Sequence, residues 1–489
     1  MQLLTTTAAQ WAAIPLVLAL SACGGGGSGN DTPSPAPPVA GDRIEPYDPS
    51  GTAKVATSQQ PVSPVASAQA TRTIALGAFT AVKGVVSATP GTPLQIGEAR
   101  SVADTATVAA TAALLRWQPT ARGTQAAALR FTADGAYGVR LGVLVQSLPE
   151  GAVLRFYGEQ GAGAMEVRAS ELQDIAARNA RGGADDTTAR TYWSPDFSGP
   201  QTTLEVEIPD AASPAAVRLS VPRLSHFTLA PAQAEQAFAQ KVGESGSCNV
   251  DATCRPEFND QSRSVARMIF VRDDGKSYLC TGTLLNDAAS SGTLYFLSAN
   301  HCISTQAVAS TLTTDWFYRS STCGTATVNP ATARVTGGAA LLYASATTDT
   351  AFMQLNNSQA PAGIVYAGSY FGGVGVGTAL AGVHHPQGDL QKVSLGSVQR
   401  YSTCVDNSCR SSNADDGTFL TLGWQEGTTE GGSSGSAAFV TFGERRYVVG
   451  QLLGGTASCA ARDGVDYYGR FDTSYRTALR RWLNPTAAN

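Results

Sequence analysis

A serine within a turn of glycines and serines has the setting of a nucleophile. Ser434 lies in the run Gly431-Gly432-Ser433-Ser434-Gly435. Glycine allows the tight backbone path in which neighbouring main-chain N–H groups point at one place. Such paired amides stabilise the negative charge that develops on a carbonyl oxygen under attack by a hydroxyl. We therefore expect Ser434 to be a nucleophile and the Gly432 and Ser434 amides to form its oxyanion hole, although the run alone also fits a surface loop.

A serine hydroxyl needs a base, and the chain has only four histidines. His301 follows a strand-like run, residues 294–297, and a turn of small residues, and Cys302 comes directly after it. A neutral imidazole in this position can take the proton of a serine hydroxyl. His301 is therefore the predicted general base. The serine and histidine segments both resemble those of chymotrypsin-type proteases.

An aspartate that orients the imidazole completes such a site. Asp349 stands at the start of an apolar strand-like run, residues 350–355, as the acid does in the same proteases. Asp315, directly before Trp316, is the alternative. The order His, Asp, Ser indicates two β-barrels with the site between them, because subtilisin-like folds have the order Asp, His, Ser and α/β-hydrolases the order Ser, Asp, His.

Hydrophobic periodicity predicts a mainly β protein. In residues 71–242, apolar residues recur at every second position, as in Val139, Leu141, Val143 and Val145, which is typical of half-buried antiparallel strands in a small β-rich domain. Residues 243–489 contain similar runs and end in an amphipathic pattern, residues 472–483, that Pro485 stops. We therefore predict a β-rich prodomain followed by a double antiparallel β-barrel with a C-terminal helix.

The first seventy residues have another character. An apolar run ends in Leu20-Ser21-Ala22-Cys23, which resembles a bacterial lipobox, so residues 1–23 are the predicted signal peptide and Cys23 the lipidation site. One departure is that no Lys or Arg precedes Cys23. Residues 24–70 are rich in Gly, Ser, Thr, Pro and Ala, which predicts a flexible tether. The net charge of −4 gives no basic surface for nucleic acid.

Cysteine spacing indicates an oxidising compartment. Cys23 stands apart, and the other eight of the nine cysteines lie between Cys248 and Cys459. An even set in one region of an exported chain predicts four disulfides, and the absence of any CxxC pair disfavours a metal site. Neighbouring side chains in a strand point to opposite faces, so His384 and His385 are not a metal pair either. No metal or cofactor is expected.

Several further segments resemble bacterial lysyl endopeptidases, which are trypsin-like serine proteases with the chymotrypsin fold. The matching runs are Ser247-Cys248-Asn249-Val250-Asp251, Cys280-Thr281-Gly282-Thr283-Leu284-Leu285, His301-Cys302, His384-His385-Pro386, Gly450-Gln451-Leu452 and Tyr468-Gly469-Arg470. The resemblance covers nearly all of residues 243–483, and the N-terminal half then resembles the long propeptide of these enzymes.

The resemblance implies disulfides Cys248–Cys459, Cys254–Cys323 and Cys280–Cys302, with Cys404–Cys409 as an additional local bridge. It also implies that Asp466 lies at the base of the primary specificity pocket, where a carboxylate pairs with the cation of a substrate Lys or Arg; Asp463 is the alternative.

Three departures from related enzymes accompany the resemblance. Leu453 stands where the family has a histidine, and that histidine's tryptophan partner has no clear counterpart. Ser433 stands where trypsin-type enzymes have an aspartate that receives the freed N-terminus.

The predicted function is that of a serine endopeptidase that cleaves after Lys, or Arg, through an acyl-enzyme. Its partners would be protein or peptide substrates and, through the lipid anchor, a membrane. Lys241 is the predicted processing point from which an exported, outer-membrane or cell-surface precursor would release the mature enzyme. The alternatives are a broad- or other-specificity protease of this fold and a non-catalytic peptide-binding surface lipoprotein.

Overall fold

The computed structural model describes residues 41–49, 64–79, 91–159, 163–229, 244–357, 360–406 and 408–486. The predicted signal peptide, Cys23 and Lys241 lie outside the described residues. None of the helices in the described ranges is long and apolar enough to cross a membrane.

Two described segments of residues 24–70, the predicted tether, contact the folded domains. Strand β1, Arg43–Ile44, pairs with a strand of the C-terminal domain, and Ile44 is buried in that domain's core. The Val65 and Ala66 amides donate to the Glu205 carboxylate. Backbone pairing and one apolar anchor are enough to fix short segments that composition alone marks as flexible.

The N-terminal domain, residues 71–242, contains two sheets that share one apolar core. Its strands are β2 Thr71–Leu76, β3 Leu94–Ser101, β4 Gln118–Pro119, β5 Thr124–Ala133, β6 Val139–Ser147, β7 Val153–Tyr157, β8 Met165–Arg168, β9 Thr191–Trp193, β10 Gln201–Pro209 and β11 Arg218–Phe227. Its helices are α1 Val108–Leu114, α2 Ala169–Arg181 and α3 Asp186–Arg190. One sheet has the order β2-β5-β10-β7-β8, with β4 on β5, and the other contains β3-β11-β6-β9.

The second of these sheets continues into the C-terminal domain, residues 243–489. Strand β3 pairs with β14, Ser277–Leu285, so that Leu94 lies opposite Leu279. Leu94, Ile96 and Leu279 belong to one buried apolar cluster. The two domains therefore share backbone hydrogen bonds and a small core, although the sequence suggests separate units.

The strands of the C-terminal domain reproduce most of the predicted runs. They are β12 Val250–Asp251, β13 Val265–Val271, β14 as above, β15 Tyr295–Ala299, β16 Thr313–Trp316, β17 Ala333–Val335, β18 Ala339–Ser345, β19 Thr350–Leu355, β20 Gly368–Tyr370, β21 Ala379–His384, β22 Lys392–Val405, β23 Ser408–Ser412, β24 Phe419–Glu426, β25 Ala437–Phe442, β26 Arg445–Gly455 and β27 Val465–Arg470. Helix α4 is Asn259–Ser264 and α5 is Gln306–Ala309.

These strands form two barrels. The first has the order β17-β16-β13-β14-β15-β19-β18 and is open. The second is closed, because β26-β25-β21-β22-β24-β27 returns to β26. The predicted C-terminal helix is present as α6 Phe471–Ser474, a π-helical turn Tyr475–Leu479 and α7 Arg480–Leu483. The chain thus has the predicted chymotrypsin-like double-barrel fold.

Candidate active site

His301, two residues after β15, contacts Asp349, which lies just before the neighbouring strand β19. Asp349 lies just before β19 with a left-handed backbone (φ 50°) and is buried. Its Oδ1 accepts the His301 main-chain N–H at 2.8 Å, and its Oδ2 lies 2.7 Å from His301 Nδ1. A carboxylate that accepts a hydrogen bond from Nδ1–H keeps the proton on Nδ1, which leaves Nε2 as the basic ring nitrogen. The pair therefore has the geometry of an oriented base.

The alternative acid, Asp315, lies elsewhere. It is buried in β16, where Oδ2 accepts from Arg267 at 2.7 Å and Oδ1 from Arg334 at 2.6 Å. Burial opposes ionisation of Asp315, but the charges of Arg334 and Arg267 lower its pKa to about 2. Asp315 is thus a partner in a buried ion cluster, and Asp349 alone of the two carboxylates contacts His301.

The serine turn has the backbone that its glycines predict. Gly432 and Gly435 have φ values of 94° and 82°, in the left-handed region. The Gly435 amide donates to Leu452 O at 2.8 Å, which ties the turn to β26. A Cβ on Gly435 would lie 2.8 Å from the Ala299 nitrogen, so the turn packs tightly against the end of β15, two residues before His301. Close approach of the two segments therefore requires glycine at this position.

Two amides of this turn are free to act as donors. Within the described residues, neither the Gly432 N–H nor the Ser434 N–H has an acceptor, whereas the Ser433 amide donates to Glu430 O. Thr281 donates from its hydroxyl to Gly432 O at 2.9 Å and from its amide to Ser434 O at 2.8 Å. Because both carbonyls are held from the side of β14, the two amides can serve as an oxyanion hole.

Ser434 Oγ makes no hydrogen bond to the His301 ring within the described part of the chain. Such contacts are often long before substrate binds. The Cys280–Cys302 disulfide ties the residue after His301 to the residue before Thr281, which bonds Ser434. The fold therefore brings the three predicted residues to one place, and the disulfide keeps the two segments adjacent.

The three disulfides that the resemblance implies are present, and so is the additional local bridge Cys404–Cys409. Cys280, His301 and Cys302 form a close group of atoms that could hold a metal, but the two sulfurs are bonded to each other and provide no thiolate. His384 and His385 have separate partners. His384 contacts Ser433 and Ser394, whereas His385 Nδ1 lies 3.0 Å from Asp389 O.

Asp466 lies behind the serine turn. It is in β27 opposite Gly455 of β26, three residues after Leu452, which accepts the Gly435 amide. Asp466 is 1% exposed, whereas the alternative, Asp463, is exposed to solvent. The structure therefore brings Asp466, and not Asp463, into the interior next to the serine turn.

The two oxygens of the Asp466 carboxylate differ in their hydrogen bonds. Trp424 Nε1 and the Thr429 hydroxyl donate to Oδ2 at 2.6 and 2.7 Å, and Oδ1 has no partner in the described residues. Burial raises the pKa of Asp466 to about 6, against the hydrogen bonds from Thr429 and Trp424, which lower it. Sequence reasoning missed Trp424 and Thr429; the only signal was the position of Thr429 five residues before Ser434.

Leu453 occupies an apolar setting. It is buried with Phe419 and Cys404 in a small cluster beside the Cys404–Cys409 bridge. A leucine at the position where the family has a histidine is thus explained by local packing.

The N-terminal domain also contacts the serine turn and the strand β26 beside it. The Gly91 amide donates to Leu453 O at 3.0 Å, and Leu94 lies beside Gly431, where a Cβ would be 3.6 Å from Leu94 Cδ1. Together with the β3–β14 pairing, these contacts carry residues 91–94 past the serine turn.

Comparisons with known proteins agree with this geometry. Residues 242–469 match the family model "Lysyl endopeptidase, C-terminal domain", and residues 67–228 match "Lysyl endopeptidase N-terminal domain". A lysyl endopeptidase of Pseudomonas aeruginosa is 34% identical over 411 residues, which cover 81% of this chain and 82% of that protein.

Solved structures give weaker likenesses. The active form of the Rv3671c protease of M. tuberculosis has a TM-score of 0.32 and 13% identity over 49% of this chain and 90% of its own. Deg5 has a TM-score of 0.32 and 12% identity, covering 48% of this chain and 97% of its own. The sequence matches are extensive enough to assign the chain. It is a serine endopeptidase, acts on protein or peptide substrates, and belongs to the lysyl endopeptidase family.

Proposed function

We propose that this chain is the precursor of an endopeptidase that cleaves after lysine, with Ser434 as nucleophile, His301 as general base and Asp349 as the orienting acid. His301 Nε2 would take the Ser434 proton as Oγ attacks the carbonyl carbon, and the Gly432 and Ser434 amides would stabilise the oxyanion. His301 would then protonate the leaving amine, and water would hydrolyse the acyl-enzyme by the reverse proton transfers.

The observation that supports basic specificity is the buried Asp466 carboxylate with one unpaired oxygen. An unpaired buried carboxylate oxygen costs free energy until a donor reaches it. Thr429, which donates to the other oxygen, is five residues before Ser434, so a long substrate side chain bound beside the serine turn would extend towards Asp466. A cationic side chain would then make a charge-assisted hydrogen bond in a desolvated setting.

The same carboxylate favours lysine over arginine. A guanidinium gains most when both carboxylate oxygens accept from its fork of donors. Here Oδ2 already accepts from Trp424 and Thr429, so only Oδ1 is free. A compact ammonium needs a single oxygen, and we therefore expect higher kcat/KM for Lys than for Arg reporters.

Two experiments test this proposal. A fluorophosphonate probe should label the mature enzyme, and Ser434→Ala should abolish labelling; labelling of this variant at the same rate would refute the nucleophile. Reporter peptides that differ only in Lys, Arg, Glu or Phe before the scissile bond should show Lys first. Asp466→Asn should lower kcat/KM for the Lys reporter by about a hundredfold, and the matched variant Asp463→Asn should leave it unchanged.

We also propose that residues 71–242 are a propeptide and that the precursor is exported, with lipid on Cys23 and cleavage after Lys241. Support comes from β3 and Gly91, which occupy the approach to the serine turn, and from four disulfides, which fit an oxidising compartment. N-terminal sequencing of active enzyme should begin at Val242; a start well before this residue would contradict the processing point.

A further inference from the structure

His384 lies beneath the serine turn, outside the proposed triad. It is the last residue of β21 and is fully buried. Its Nδ1 is 2.8 Å from Ser433 Oγ, and its Nε2 is 2.9 Å from Ser394 Oγ. Ser433 directly precedes the proposed nucleophile, so the ring contacts the turn that carries both oxyanion amides.

The surrounding partners define where the protons lie. Ser394 Oγ donates its own proton to Thr428 O at 2.8 Å, so it must accept the hydrogen bond to His384, and Nε2–H is the donor. His384 Nδ1 is then unprotonated and accepts from the Ser433 hydroxyl, whose oxygen accepts the Glu430 amide at 3.2 Å. A single neutral tautomer of His384 satisfies every hydrogen bond in this chain of groups.

The ring stays neutral under working conditions. Burial lowers the pKa of His384 to about 3, and the neighbouring His385 and Lys392 side chains lower it further. The hydrogen bonds to Ser394 and Ser433 therefore keep one pattern from weakly acidic to alkaline pH.

We call the hydrogen-bonded side chains Ser394, His384 and Ser433 the relay. The relay contacts the segment 428–434 at two points. Through Ser394 it fixes the Thr428 carbonyl, and through Ser433 it fixes the residue between the two oxyanion amides. Ser433 has no carboxylate, so an ion pair with a freed N-terminus cannot order this turn. We propose that His384 is a positioning residue whose neutral ring, bound between Ser394 and Ser433, holds the oxyanion hole in its productive geometry. This inference rests on the proposed oxyanion hole at Gly432 and Ser434.

The first test separates transition-state from ground-state binding. His384→Leu removes both hydrogen bonds, and His384→Asn retains an acceptor for Ser433. We expect kcat/KM per titrated active site to fall about a hundredfold in His384→Leu, since losing one oxyanion donor costs about 10²–10³-fold. His384→Asn should recover at least about tenfold of that loss.

A peptidyl-lysine aldehyde, whose adduct places an oxyanion in the hole, should lose affinity by the same factor as kcat/KM. The Ki of pentylamine, an alkylammonium that would pair with Asp466 but has no carbonyl or carboxylate oxygen to enter the hole, should stay within about twofold. Equal weakening of both inhibitors in folded enzyme, or unchanged kcat/KM, would overturn the proposal.

Smaller deletions keep the test decisive if His384→Leu does not fold. Ser394→Ala and Ser433→Ala each remove one hydroxyl from the relay and should lower kcat/KM and aldehyde affinity in parallel. Ser402→Ala is the matched control, because Ser402 is also buried in β22 but bonds Thr421 and does not contact the turn; its kinetics should match wild type. If Ser434→Ala abolishes labelling while these variants act like the control, the inference fails and the proposed function stands.

Discussion

Preference for lysine should depend on pH through Asp466. Its carboxyl is buried, and burial raises its pKa from 3.8 to about 6. A carboxyl with a raised pKa is neutral below that value, so acidification removes the charge that would attract the substrate cation. We therefore expect the enzyme to lose its preference for Lys over other reporters as the pH falls through about 6.

The size of the effect follows from the Asp466 pKa of about 6. At pH 8 about 99% of the Asp466 carboxyls are ionised, and at pH 5 only about a tenth. Because kcat/KM reports ionisations of free enzyme, the value for a Lys reporter contains this titration together with that of the triad. Dividing it by kcat/KM for an otherwise identical Phe reporter cancels the triad, and the ratio should fall roughly tenfold from pH 8 to pH 5.

The assay measures both reporters at constant ionic strength between pH 5 and pH 8, with active sites titrated at each pH. Asp466→Asn should give a low ratio that does not vary with pH, and Asp463→Asn should follow wild type. A wild-type ratio that stays constant across this range in folded enzyme would refute the assignment of Asp466 as the ionised contact.

Three stability predictions can be measured by urea unfolding in the inactive Ser434→Ala background. The pKa of Asp466 rises from 3.8 to about 6 on folding, so its ionised form destabilises the native state at high pH. Asp466→Asn should therefore raise the free energy of unfolding by about 3 kcal/mol at pH 8 and leave it unchanged below about pH 4. Asp315 has a folded pKa of about 2, so its stabilising contribution is complete above about pH 3.8 and is lost as the pH falls towards 2. Asp315→Asn removes the carboxylate that accepts from Arg267 and Arg334, with Asp196 left as a carboxylate partner of Arg334, and should cost about 3–5 kcal/mol at pH 7. Replacing Cys280 and Cys302 by serine should cost on the order of 3 kcal/mol for a loop of 22 residues, and an unchanged midpoint would contradict that estimate.

The residues of the proposed triad could be predicted from short segments of the sequence. The setting of Ser434, His301 and Asp349 could be interpreted because each lies in a short segment whose residue types already limit its chemistry. Strand β19 was predicted at its observed bounds, residues 350–355, because a continuous apolar run directly reflects burial. The pairing of the cysteines came from the family resemblance, since spacing alone does not determine which cysteines join.

The non-local part was beyond the sequence. Trp424 and Asp466 are 42 residues apart, and His384 and Ser433 are 49 apart. Such contacts depend on strand register in the closed second barrel, for which a single sequence has no periodic signal. The continuation of the sheet from β3 into β14 was missed for the same reason, because hydrophobic patterning shows that a strand is buried but not which strand lies beside it.

The buried polar groups around the serine turn fall into two kinds, and the difference indicates what each one does. Buried polar atoms in folded proteins are nearly always hydrogen-bonded, because desolvation without a partner is costly. His384 is fully satisfied by protein partners, so its bonds can only fix geometry. In the described residues, Asp466 Oδ1 and the Gly432 and Ser434 amides have no protein acceptor or donor, and they would face the substrate cation and the developing oxyanion. Among the buried groups without a partner, these three would match the two charges that a lysine-specific acyl transfer must stabilise, and the His384 ring would hold the two oxyanion amides in place.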